Sequence, residues 1–402
     1  MVKVVILHPD LGIGGAERLI VDAAVALQER GYSVRVVTNQ YNPNHCFRET
    51  NDLDITTVVQ WMPRSIFGKA HALLAYLKMI IAALYIVWKF PDSNVILSDT
   101  VSASQLVLRH FSRAKLIFYC HFPDKLLTKR DGAAKALYRR IIDSIEEHTT
   151  GLAHAICVNS HFTENVVRSA FPSLNTHELN VLYPSLNTKF FDGIPYSEDI
   201  NAEIPASATF VFTSLNRFER KKNVMLALDA FAKLREQVSA DEFSKCHLVI
   251  AGGYDRKNRE NIEHFEELAA HLSDLNLPVS QVNFLKSPSD SQKINLIRRS
   301  RAILYTPDRE HFGIVPVEAM YLGTPVIAVN TGGPRESVRD DETGYLVPQT
   351  AEAFAEKMRE LMENEEKYLK LSKEGPRWVQ YKFSFKAFAR NLDKIVQNAL
   401  LL

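Results

Sequence analysis

Val4-Val5-Ile6-Leu7-His8-Pro9-Asp10-Leu11-Gly12-Ile13-Gly14-Gly15 stands near the start of the chain: an apolar run, a break, and a glycine loop. A helical pattern follows over residues 16–30, stops at Gly31, and gives way to the strand-like Val34-Arg35-Val36-Val37. Strand, loop, helix and strand in that order point to a parallel sheet, because parallel neighbours need a crossover between them. Further strands are expected at residues 95–97, 116–119 and 155–158. A second series begins near residue 209, with strands at 209–213, 247–251, 282–285, 302–305 and 326–329. Helices at 224–237 and 290–300 are interleaved with it. Residues 190–207, rich in Pro, Asp and Ser, read as a linker, and 385–402 as a closing helix. The expected fold is α/β, with two Rossmann-like doubly wound domains facing across a ligand cleft. The domains are expected at 1–195 and 196–384, with the closing helix after them.

A chain of 402 residues is long enough for two such domains, each with its own core. A formal net charge of +1 does not favour nucleic acid as a partner. Cys46, Cys120, Cys157 and Cys246 are scattered, without paired or metal-ligand spacing, which suits a reducing compartment. No Asn-x-Ser/Thr sequon occurs, in keeping with the cytosolic side of a membrane, and the N-terminus does not read as a signal peptide. Residues 70–90 are nearly all apolar and borderline in length for a membrane span. His71, Ala75, Lys78, Ala82, Tyr85 and Lys89 fall on one helical face there. A small and basic stripe on a greasy helix suits an interfacial helix better than a spanning one, unless the segment is an ordinary amphipathic helix packed on the sheet.

The chemistry concentrates at strand ends. Glu310-His311-Phe312-Gly313-Ile314-Val315-Pro316-Val317-Glu318 places two carboxylates around the start of a short helix that closes at Gly323. Free backbone N–H groups near Gly313 and Ile314 can hold an anion, and the two acids can accept bonds from a polyhydroxylated ligand. Two glutamates at this spacing are common and, taken alone, read as a solvated helix end. Arg217-Phe218-Glu219-Arg220-Lys221-Lys222 follows a strand, where open α/β sheets bind ligands. Arg217 and Lys222 are suited to a diphosphate, and Arg220 and Lys221 to solvent. Gly14 and Gly15 allow close backbone approach to a phosphate or sugar, or serve only a tight turn. Glu17 stands where a dinucleotide fingerprint has its third glycine. Gly252-Gly253 forms a strand-end loop suited to a nucleotide. Gly332-Gly333 makes either a close approach to ligand or a turn. His121, in Cys120-His121-Phe122-Pro123-Asp124, is structural or faces the ligand. Lys125, Lys129, Arg130, Lys135, Arg139 and Arg140 behind it are a solvated face or meet anionic lipid or phosphate. Asp52-Leu53-Asp54 matches a metal-binding Asp-x-Asp by chance.

Taken together, these stretches resemble the retaining GT-B glycosyltransferases that carry a Glu-(seven residues)-Glu motif. The resemblance spans nearly the whole chain: Gly14-Gly15-Ala16-Glu17-Arg18, Arg217 with Lys222, Glu310 with Glu318, and Gly332-Gly333 through Glu336. His8 to Arg18, Tyr119 to Asp124, Leu182 to Asn187, Asn216 to Asn223 and Tyr305-Thr306-Pro307 are similar to a narrower group. That group is the Alg2-type α1,3/α1,6-mannosyltransferases of lipid-linked oligosaccharide assembly. The resemblance implies GDP-mannose as sugar donor and a dolichyl-diphosphate-linked oligosaccharide as acceptor. It also implies the cytosolic face of the endoplasmic reticulum membrane, a membrane surface and other enzymes of that pathway as partners, and neither metal nor cofactor. Arg217 and Lys222 would bind the diphosphate, Glu318 the ribose, and Glu310 the mannose hydroxyls. Amides near Phe312, Gly313 and Ile314 would assist, Gly14 and Gly15 would lie under the diphosphate, Gly253 by the nucleotide, and His121 beside the reacting carbon.

Overall fold

The computed structural model describes residues 1–63, 71–128, 133–197, 200 and 204–402, with the side chains of 133–135 excepted. Lys129, Arg130, the Lys135 side chain and part of the proposed linker therefore lie outside the described residues. The chain divides into two compact units: Met1–Ser185 with Phe385–Leu402, and Leu186–Ser384.

The first unit holds β1 (Lys3–His8), β2 (Ser33–Thr38), β3 (Ile55–Thr57), β4 (Val95–Asp99), β5 (Lys115–Cys120), β6 (Ala155–Val158) and β7 (Leu179–Val181). All pair in parallel, in the order β3-β2-β1-β4-β5-β6-β7. The winding reverses between β1 and β4, so their carboxyl ends frame a switch point, where such sheets bind ligands. In the register, Leu7 stands opposite Ser98, which puts His8 and Asp99 side by side at that point. The helix Gly15–Glu29 buries Leu19, Ile20, Ala23, Ala24 and Leu27. Against them pack Phe388, Leu392, Val396 and Ala399 of the helix Phe385–Leu401, spaced three to four residues apart as one helical face requires.

The helix His71–Lys89 corrects the expected stripe. Lys78 and Ala82 are buried, Ala75 and Tyr85 half-buried, and only the ends, His71 and Lys89, are exposed. Small and slim residues decide which side faces the sheet: Met79, Ala82, Ala83 and Ile86 settle against Val5, Leu7 and Val37. Leu73, Leu77, Leu84 and Trp88 are left outside as an apolar stripe, with Trp88 75% exposed. Among the described helices this one is long and apolar enough to cross a membrane, by length and composition only.

The second unit holds β8 (Phe210–Leu215), β9 (Cys246–Gly252), β10 (Val282–Lys286), β11 (Ala302–Tyr305), β12 (Val326–Val329) and β13 (Gly344–Val347). These are again all parallel, ordered β10-β9-β8-β11-β12-β13. Its switch point lies between β8 and β11, so the segments leaving these strands, 216–224 and 306–313, are neighbours at one end of the sheet.

Candidate active site

The two segments at the second switch point are stitched together. After β8 the chain makes a tight turn over Arg220–Lys222 and passes through Asn223 at φ +46°. The Lys222 carbonyl accepts a bond from Thr306 Oγ1 at 2.9 Å, just past β11. This aims Lys222 Nζ at Glu310 Oε2, and the two form a partly buried ion pair. Glu310 is held from the other side by the glycine pair after β12. Gly333 N–H donates to the Glu310 carbonyl at 2.8 Å. A Cβ on Gly332 would lie 2.5 Å from that carbonyl oxygen, and one on Gly333 2.2 Å from the Phe312 carbonyl oxygen. The close approach that Gly332-Gly333 permits is thus to the 310–312 backbone.

Gly313 caps the helix Ile314–Tyr321 at φ +76°, and a Cβ there would stand 2.7 Å from the Tyr305 hydroxyl. Both facts call for glycine. The first N–H groups of that helix have no intrahelical acceptor, and no side chain caps them. One turn on, Glu318 is only 8% exposed. Its Oε1 accepts from Lys293 Nζ at 3.0 Å, while Oε2 is buried with no partner among the described residues. The Phe312 side chain is buried edge-on against Phe383, so only its backbone is available to a ligand. Burial, reinforced by Glu310 and Glu318, pushes the Tyr305 hydroxyl well above its ordinary pKa and keeps it neutral.

The remaining cations divide. Arg217 is largely exposed and pairs with Glu219 at 3.2 Å. Its stem packs by Gly253, where a Cβ would meet Arg217 Cγ at 3.1 Å. Arg220 is tied to Glu263 and Glu267, and Lys221 to Glu219, as solvated positions would be. Asp54 pairs with Arg35 at 2.6 Å, which accounts for one acid of the Asp-x-Asp match.

At the first switch point, Gly14 has an extended backbone and opens the helix Gly15–Glu29 without a side-chain cap. A Cβ on Gly15 would meet nothing within 4 Å, so that glycine is not required by packing. His121 leaves β5 and sets Nε2 2.8 Å from Asp99 Oδ2, while His8 Nδ1 lies 2.6 Å from Asp99 Oδ1. Burial would raise the Asp99 pKa, but the charge and hydrogen bonds of the two imidazoles hold it well below the carboxylate range. Burial likewise pulls His8 down, and contact with Asp99 outweighs it and raises it. The segment after His121 is anchored too: Asp124 and Lys125 donate their N–H groups to Glu146 at 2.7 and 3.1 Å. Arg139 bonds Asp124 and Asp143, so it belongs to the structure rather than to a solvated basic face.

Family models agree with this division. The model described as glycosyl transferases group 1 matches residues 197–378, and glycosyltransferase family 4 matches residues 13–190. Solved structures with the same fold include sucrose-phosphate synthase from Thermosynechococcus elongatus (TM-score 0.77, 20% identity, 99% of each chain covered). Another is a glycosyltransferase from Rickettsia africae (TM-score 0.74, 17% identity, 99% of each chain). These show the GT-B fold. The human alpha-1,3/1,6-mannosyltransferase ALG2 is 44% identical over 403 residues, covering 99% of this chain and 96% of the relative. The chain belongs to the Alg2 family of α1,3/α1,6-mannosyltransferases. Rhizomucor pusillus ALG2 (43%, 98% and 91% covered) and Dictyostelium discoideum ALG2 (41%, 98% of each) agree. An Alg2-family chain is a glycosyltransferase, and membership implies a sugar-nucleotide donor, a glycolipid acceptor and association with the endoplasmic reticulum.

Asp99, His8 and Lys293 were not picked out from the sequence as site residues. For the first two a signal exists, because each is the first polar, ionisable group after an apolar strand run. Lys293 carries none: it is one cation in a polar helix.

Proposed function

We propose that this enzyme transfers mannose from GDP-mannose to Man-GlcNAc2-diphosphate-dolichol, adding an α1,3- and then an α1,6-linked residue with retention, on the cytosolic face of the endoplasmic reticulum membrane. The observation that carries this reading is the Lys222–Glu310 pair beside an open helix N-terminus, with half-satisfied Glu318 one turn further on. Lys222 and Arg217 take the diphosphate, and its negative charge replaces Glu310 as the partner of Lys222. Glu310 then accepts from mannose hydroxyls, and Glu318 from the ribose. The amides at Phe312, Gly313 and Ile314, and the glycines Gly14, Gly15 and Gly253, line the backbone side of the donor. His121 lies beside the reacting carbon.

The reaction is a front-face displacement. The bond between the anomeric carbon and the phosphate oxygen breaks, and the acceptor oxygen bonds to the same face. The acceptor's proton passes to the departing phosphate, whose charge Arg217 and Lys222 stabilise. The apolar stripe Leu73, Leu77, Leu84 and Trp88 supports peripheral docking on the membrane surface that presents the lipid acceptor. Release by alkaline carbonate is expected, whereas a need for detergent contradicts it. A panel of nucleotide sugars tests the donor: consumption of GDP-mannose alone is expected, and equal use of UDP-glucose overturns the assignment.

A further inference from the structure

Three strands at the first switch point end on one carboxylate. Asp99 closes β4 and is fully buried, and His8 closes β1 and is 2% exposed. His121, past the end of β5, has a side chain 25% exposed. Asp99 therefore reaches from the interior of the sheet to its rim. A carboxylate can only accept hydrogen bonds, so each imidazole nitrogen facing it must carry the proton. His8 donates from Nδ1 at 2.6 Å and His121 from Nε2 at 2.8 Å. Thr100 Oγ1 adds a third bond to Asp99 Oδ2 at 3.0 Å. Thr100 itself is held at φ +61°, a conformation that β-branched residues avoid. Outliers of this kind gather where the surrounding structure must hold a group in one place. The Tyr119 ring, 4.7 Å from that of His121, limits the imidazole from another side.

A purely structural staple would not need this asymmetry. A buried ionic cluster contributes no more stability than apolar residues of similar volume, so its geometry is the more telling feature. Here the fully buried imidazole locks the carboxylate, and the carboxylate locks the imidazole at the rim.

We propose that Asp99 is a positioning residue for mannosyl transfer, holding His121 in the Nε2–H form so that Nδ1 is presented to the substrate as a hydrogen-bond acceptor. The proposal rests on the reading above that His121 lies beside the reacting carbon. His8 acts one step further back, fixing the rotation of the Asp99 carboxylate. In Asp99→Asn the amide offers one acceptor and one donor where two N–H groups now point. One imidazole must then change tautomer or turn away.

The test uses the full chain, labelled with 15N-histidine. Ring spectra of the wild type should show His121 protonated on Nε2, and protonation on Nδ1 overturns the proposal without any variant. Asp99→Asn should perturb that tautomer and lower kcat about 10²-fold, with KM for GDP-mannose within about twofold. A folded Asp99→Asn with wild-type kcat overturns it, even if thermal stability falls. His121→Ala separates the two layers. Full activity in His121→Ala removes the reading of His121 itself. An inactive His121→Ala beside a fully active Asp99→Asn removes only the role of Asp99.

Discussion

The two sheets share one winding, and their switch points differ in how their charges are paired. At the switch point of the first unit, Asp99 accepts hydrogen bonds from both His8 and His121 and is wholly buried. At that of the second, Lys222–Glu310 and Lys293–Glu318 are partly buried ion pairs, with side-chain exposures of 10% to 24%. A fully buried carboxylate is costly to strip of its partners, whereas a partly exposed pair can accept a charged ligand in place of one partner. The first unit thus supplies a fixed frame. In the proposed reading, the second supplies charges paired with each other that a diphosphate and a sugar would replace.

Breaking the exchangeable pair should have the largest effect. Glu310→Ala or Lys222→Ala should reduce transfer by about 10³-fold or more, with an unchanged circular dichroism spectrum. Arg220→Ala, two residues before Lys222, should leave kcat unchanged because its guanidinium is bound to Glu263 and Glu267. Equal losses in Arg220→Ala would make the effect one of loop structure.

The glycines of the two units should differ in what they tolerate. Gly333→Ala drives a Cβ into the Phe312 backbone and should lower stability by about 2 kcal/mol or more in thermal or urea unfolding. Gly15→Ala meets no neighbour and stands at the first position of a helix, so stability should hold or rise slightly. A roughly tenfold rise in KM for GDP-mannose in that variant would come from the lost backbone approach alone. An unchanged KM would remove Gly15 from the site.

The smallest effect concerns the frame. Burial pushes Glu146 up to about 7 from an ordinary 4.5, despite the two amides it accepts from. The folded state therefore holds a proton that the unfolded state releases. That contribution is complete below pH 4.5 and is lost as pH rises through about 7. Unfolding followed across this window should show stability falling from this group, and Glu146→Gln should flatten the fall. The same slope in the variant would mean that another group is responsible.

The long strands and the helices 224–237 and 290–300 were legible because apolar runs bounded by glycine or polar residues leave little choice. The short edge strands β7 and β13 escaped: the first has three residues and the second begins at Gly344. Glu310, Lys222 and the helix start at Gly313 were readable because they lie in the loops that leave strands, and Glu318 because it lies in the first turns of the helix that Gly313 opens. Which face of the helix His71–Lys89 turns inward was not. Alanine and methionine packing outranked the charge of Lys78, a competition that periodicity alone does not resolve. Nor could spacing bring Asp99 to His8 and His121, since strand order, rather than sequence distance, makes them neighbours.

One enzyme is expected to make both linkages from a single donor. Purified protein should be incubated with GDP-mannose and a lipid-diphosphate Man-GlcNAc-GlcNAc acceptor, and the lipid products weighed. A gain of two mannoses, removed by α1,3- and α1,6-specific mannosidases, is the expected result. No transfer by a folded protein that still binds GDP would contradict it.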